Sequence, residues 1–100
     1  MKALAEIQVI PIGVGVSVRD QVRRAHQVIR ESGLKVQLHA YGTNVEGDLD
    51  IILETVGRIH TMLHAEGTLR LSTAVKIGTR TDKDSTLEDK LFDIAPDAPR

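Results

Sequence analysis

Residues 41–48 read Tyr-Gly-Thr-Asn-Val-Glu-Gly-Asp, and four of these side chains carry chemistry suited to holding a small polar ligand. Tyr41 offers a ring face, Thr43 and Asn44 offer donors and acceptors, and Glu46 offers a charged acceptor. A hairpin at Gly42, a bend at Gly47 and a helix cap at Asp48 would explain three residues of the stretch. They leave Thr43, Asn44 and Glu46 unexplained, although Glu46, just before the following helix, could favour its dipole. Gly-Val-Gly-Val-Ser at 13–17 is a second candidate, because free N–H groups at a helix start attract anions. Position 18 is Val rather than the Gly of a dinucleotide fingerprint, and no P-loop Lys follows, so a flexible turn with Ser17 as helix cap is the plainer reading.

His60 and His64 lie four apart on a helix and share a face, as two metal ligands would. The run between them, His-Thr-Met-Leu-His, lacks the Glu base of a metalloprotease, and Met62 and Leu63 suit packing. His39 and Tyr41 are two apart on a strand and are expected on one sheet face, open to a ligand or a second subunit. No nucleophile elbow of the Gly-x-Ser-x-Gly type occurs. No catalytic residue and no metal site is assigned.

The elements that must position these groups follow from periodicity. Residues 2–10 alternate, with Ala3, Ala5, Ile7 and Val9 on one face and Leu4, Glu6, Gln8 and Ile10 on the other. Pro11 and Gly13 are expected to end that strand. Residues 17–33 read as a helix with the stripe Val18, Val22, Ala25, Ile29 and an end at Gly33. A strand over 34–41 points Val36, Leu38 and Ala40 one way and Gln37, His39 and Tyr41 the other. Thr43–Glu46 returns as a short strand, and Asp48 caps a helix over 49–67 with the stripe Leu49, Ile52, Val56, Ile59, Leu63. Gly57 in that helix suggests a close approach by another element. Residues 68–78 form the last strand, 79–86 a polar loop, 87–94 a short helix and 95–100 a frayed tail.

The order predicts an α+β, ferredoxin-like βαββαβ fold: a four-stranded antiparallel sheet with two helices on one face. One hundred residues make a single domain, 1–100, with its core at about 2–78. The opposite sheet face is expected to be open to water, a ligand or another subunit. The composition, 41% hydrophobic and 27% charged with no Cys, is that of a globular chain and excludes disulfides and thiolate chemistry. A net charge of −1 with one Tyr and one Phe gives no basic excess and no stacking platform, so no nucleic-acid partner is expected. No apolar run approaches a membrane span of about 20 residues, and no signal peptide is recognisable, so a cytoplasmic protein is expected.

Three pieces, in their order and spacing, carry a family resemblance. They are Pro-x-Gly-x-Gly-x-Ser at 11–17, Gly-Thr-x-x-Glu-Gly at 42–47, and Thr73, Lys76, Ile77, Arg80 and Asp82. Over about residues 3–92 the chain resembles the thiamine-binding protein family. The resemblance implies non-enzymatic binding of thiamine or its hydroxymethylpyrimidine part, with no further cofactor. It also implies association into dimers or tetramers with sheets joined across subunits. Ser17, Thr43 and Glu46 are carried over from its motif positions as ligand-binding residues. Gln8, Tyr41 and Asn44 join them from sheet geometry. Two other classes share the plan: an amino-acid-sensing regulatory module, and an RNA-recognition module, which would need aromatics on the central strands where Thr-Asn-Val-Glu stands. An oligomer whose open face serves only subunit contact is a fourth reading.

Overall fold

The computed structural model describes residues 1–97. Along the chain run β1 (Lys2–Ile12), α1 (Arg19–Arg30), β2 (Lys35–His39), β3 (Gly42–Asp48), α2 (Leu49–Ala65), β4 (Arg70–Gly78) and α3 (Leu87–Ile94). The strands form one sheet in the order β2-β3-β1-β4, all neighbours antiparallel. This is the ferredoxin-like arrangement, with α1 and α2 on one face.

Strand alternation puts Ala3, Ala5, Ile7 and Val45 on the helix side, against Ala25, Val28 and Ile29 of α1 and Ile52, Ile59 and Leu63 of α2. The α2 stripe is as the sequence predicts, with Thr55 added; its hydroxyl donates to the Ile51 carbonyl at 2.7 Å and is thereby satisfied at 3% exposure. The α1 stripe is rotated. Val28 is buried, whereas Val22 is 39% exposed. Arg24 Nε meets the Glu66 carboxylate at 2.7 and 3.0 Å, tying α1 to the end of α2.

Several boundaries differ from expectation for physical reasons. β1 runs on through Pro11 to Ile12, because its pairing with β3 stops at Ile7 and beyond that it pairs only with β4. One side of β1 is then an edge, where a residue without an N–H is tolerated. Ser17 does not cap α1: Val18 occupies the N-cap position, with no side-chain cap bond. The hairpin turn is Ala40–Tyr41, not Gly42, so Tyr41 is 80% exposed in the turn rather than on the sheet face. Gly42 instead starts β3, where an added Cβ would come 2.8 Å from the Ile7 carbonyl oxygen. Gly47 stays in β3, paired with Ala3, and lies under Leu34. Asp48 caps α2 as expected, accepting from the Asp50 N–H at 2.9 Å. Gly57 is exposed, and among the described residues nothing lies within 4 Å of a Cβ added there, so no close approach by a described element explains it.

The opposite sheet face is not wholly open. In register, Lys35, Glu46, Leu4 and Gly78 form one row of it, and Gln37, Asn44, Glu6 and Lys76 the next. α3 lies against the first row. It begins with a capping box in which Thr86 Oγ1 accepts from the Asp89 N–H at 3.0 Å and Asp89 returns the bond to the Thr86 N–H at 3.1 Å. The Leu87 N–H then donates to Glu46 Oε1 at 2.8 Å, and Leu4 and Leu87 are 9% and 7% exposed. Of the tail, 98–100 fall outside the described residues. Among the described residues no helix is long and apolar enough to cross a membrane.

Candidate functional site

A cleft of about 260 Å³ opens where β1 outruns β3. Its walls are β1 around Ile7–Ile10, the β2–β3 turn from Leu38 to Thr43, and the face of α1 that runs from Val18 just before it through Val22, Ala25 and His26 to Ile29. The cause is topological. Past Ile7 one side of β1 has no partner strand, so the hairpin turn and α1 stand apart there with no strand between them. Val18, Val22 and Leu38 line this opening. Their spacing is that of core residues, yet Leu38 is 61% exposed because it faces the cleft side of the sheet rather than a packed helix.

Polar groups sit among these apolar walls. Thr43 is 4% exposed, and its Oγ1 lies 3.5 Å from His26 Nδ1, at the outer limit of a hydrogen bond. Gln8 also lines the opening, half-buried on β1, but alternation with Ile7 puts its side chain on the sheet face opposite Thr43. His39 Nδ1 accepts from the Tyr41 N–H at 3.3 Å, which leaves the proton of a neutral ring on Nε2. That Nε2 stands 3.2 Å from Glu6 Oε2, near enough for an ion pair when the ring is charged, but the geometry is not that of a hydrogen bond, and the buried atom has no hydrogen-bond partner among the described residues.

Of the six residues singled out from the sequence, the structure brings together Gln8, Tyr41 and Thr43, with Tyr41 at the mouth. Ser17 is exposed and adjoins Val18 on the rim. Asn44 and Glu46 are on the other sheet face. Asn44 Nδ2 donates to Gln37 Oε1 at 3.0 Å. The Glu46 carboxylate, 12% exposed, is engaged by the Leu87 N–H and by Lys2 Nζ at 3.6 Å. Thr43 and Glu46 therefore point away from each other, as residues three apart on a strand must. His26 was not singled out. Its signal was present: it continues the Val18–Val22 ridge by another four residues, as a polar group on an apolar line.

His60 Nε2 lies 2.8 Å from Thr73 Oγ1, and His64 Nδ1 donates to the Thr68 carbonyl at 2.7 Å, so each ring has a structural partner. Among the described residues no group of three or more His, Cys, Asp or Glu could hold a metal ion. The perturbed titrations lie elsewhere. Arg80 donates to both oxygens of Asp82 and holds its carboxyl down to about 2. The Asp50 N–H lowers Asp48, and the Glu88 carboxylate raises Lys35.

A ferredoxin-like domain with an apolar cleft and a few convergent polar groups has the form of a small-molecule binding domain. The profile of the family described as "Thiamine-binding protein" matches residues 5–94, and the chain belongs to that family. A UPF0045 protein of Synechocystis is 42% identical, the match covering 94% of this chain and 78% of the relative. The crystal structure of a hypothetical protein from Methanocaldococcus jannaschii is 40% identical, covers 93% of this chain and 95% of its own, and superposes with a TM-score of 0.86. The fold is shared with a Thermotoga maritima protein whose name points to thiamine biosynthesis or salvage, at 22% identity and a TM-score of 0.83, over 94% of this chain and 99% of that one.

Proposed function

We propose that this protein binds thiamine or its hydroxymethylpyrimidine part in the α1–hairpin cleft, without catalysis and as a homo-oligomer. The observation that carries this reading is the cleft itself: Val18, Val22 and Leu38 have the spacing of core residues but line an opening. Membership of the family supports the ligand class, as does the name of the Thermotoga relative. An aminopyrimidine presents ring-nitrogen acceptors beside an amine donor. His26, Thr43 and the unpaired backbone side of β1 offer the complementary set. A cleft of about 260 Å³ is just below the roughly 300–1,000 Å³ of drug-sized sites, which favours one ring inside. The cationic thiazolium of whole thiamine would then reach the mouth, where the Tyr41 ring could face it. Oligomer formation is favoured by the edge strands β2 and β4, whose outer backbone groups can pair with another sheet.

Calorimetric titration with thiamine, hydroxymethylpyrimidine and an analogue lacking the amine tests the reading. Saturable heat from the first two is expected. The analogue should bind tens of times more weakly, because it leaves a site acceptor unpaired. Absence of binding by both natural compounds would remove the proposal.

A further inference from the structure

The third motif of the sequence, with Lys76, Arg80 and Asp82, takes no part in the α1–hairpin cleft. It leads to the other face of the sheet. There a small pocket of about 90 Å³ lies between the start of β1, the end of β4, the loop 79–86 and α3. Its lining includes four cations: Lys2, Arg80, Lys83 and Lys90. Thr79 and Ser85 add two hydroxyls, and Asp84 is the one carboxylate of the lining. Counting Glu46 and Asp82, which hold Lys2 and Arg80, the cations still outnumber the carboxylates. The whole chain carries a net charge of −1, so this corner runs against the charge of the molecule.

We propose that this pocket binds the phosphate group of a small phosphorylated compound or free phosphate. Three features make it more than a solvated loop. First, two of the cations are paired at the pocket's edge, Arg80 firmly and Lys2 loosely. Arg80 is clamped by Asp82 through Nε and Nη2, which leaves Nη1 as a fixed donor, and Lys2 is held by Glu46. Secondly, Lys83 and Lys90 carry no ion pair among the described residues, although they share the pocket with those two. Charge-assisted donors converging on a small pocket are what a tetrahedral oxyanion requires. Thirdly, the size fits: about 90 Å³ admits a phosphate group. The pocket also adjoins a larger groove of about 280 Å³ beside α3, with which it shares Leu4, Gly78 and Lys90. Leu87 and Leu91 give that groove an apolar side, and Asn44 and Lys76 a polar one. A phosphate ester could place its charged end in the pocket and its organic body in the groove.

The test is calorimetric titration of the intact chain with inorganic phosphate and with phenyl phosphate, at low ionic strength and without competing anions. Both probes should bind saturably. The Lys83→Gln/Lys90→Gln double variant, changed only at exposed positions, should weaken binding about tenfold or more. Arg58→Gln, an equal loss of charge per site on exposed α2, should leave it unchanged. Tighter binding of phenyl phosphate would mark an ester as the source, and equal affinities would mark free phosphate. No saturable binding, binding that survives the double substitution, or equal weakening by Arg58→Gln would overturn the proposal. None of these outcomes depends on thiamine binding in the other cleft.

Discussion

Removal of the Glu46 carboxylate should loosen α3 before it disturbs the sheet. In Glu46→Ala the Leu87 N–H loses a charged acceptor at 2.8 Å, and a hydrogen bond to a charged group contributes about 1.5–3 kcal/mol. The Lys2 pair at 3.6 Å is partly exposed on its Lys side and adds no more than about 1 kcal/mol. The sum is about 2–4 kcal/mol. At roughly 4–8 °C per kcal/mol for a domain of this size, the midpoint of thermal unfolding should fall by about 10 °C or more if the loss is felt globally. If α3 releases locally, the midpoint moves less and amide exchange over 87–94 becomes fast while β1 and β3 stay protected. Glu46→Gln keeps an acceptor and should have less than half the effect. The assay is thermal unfolding with hydrogen exchange on the three proteins. An unchanged midpoint together with unchanged exchange in α3 would refute the role given to Glu46.

Two further outcomes follow from the geometry. The Asp82 carboxyl is held at about 2, below its usual 3.8, so the Arg80 clamp is fully present above 3.8 and lost as the pH falls through about 2. A carbon-13 titration of the Asp82 side chain should find a midpoint near 2 that returns toward 3.8 in Arg80→Ala; a wild-type midpoint near 3.8 would contradict the clamp. Gly57→Ala meets no neighbour and should stabilise α2 by about 1 kcal/mol, whereas Gly42→Ala drives a Cβ against the Ile7 carbonyl and should cost about 1–3 kcal/mol. Thermal midpoints that move in the same direction for the two would refute this contrast.

The fold was readable where local pattern and tertiary packing agree. The alternation of Ala3, Ala5 and Ile7 and the spacing of Ile52, Ile59 and Leu63 each specify a buried face, and Asp48 before an apolar run specifies a cap. The site was less readable. Ser17 carries a capping hydroxyl, but the first helical residue is Arg19, so the hydroxyl sits one residue too early. Tyr41 is a turn residue because the carbonyl of Ile7, far away in sequence, requires a glycine at 42 inside the strand. The union of Glu46 with α3 spans 41 residues and leaves no local pattern. Val22 and Leu38 have the same periodicity whether they meet a packed side chain or a cleft, so the opening could not be read from spacing. The thiamine family itself was legible in the order of three short motifs.

Chemical-shift mapping of the amide spectrum during titration with hydroxymethylpyrimidine tests the central claim most directly. Saturable shifts confined to Gln8, His26 and the turn from Leu38 to Thr43 are predicted. Shifts centred on Asn44, Lys76 and Leu87, or no saturable shift, would contradict the placement of the ligand between α1 and the hairpin.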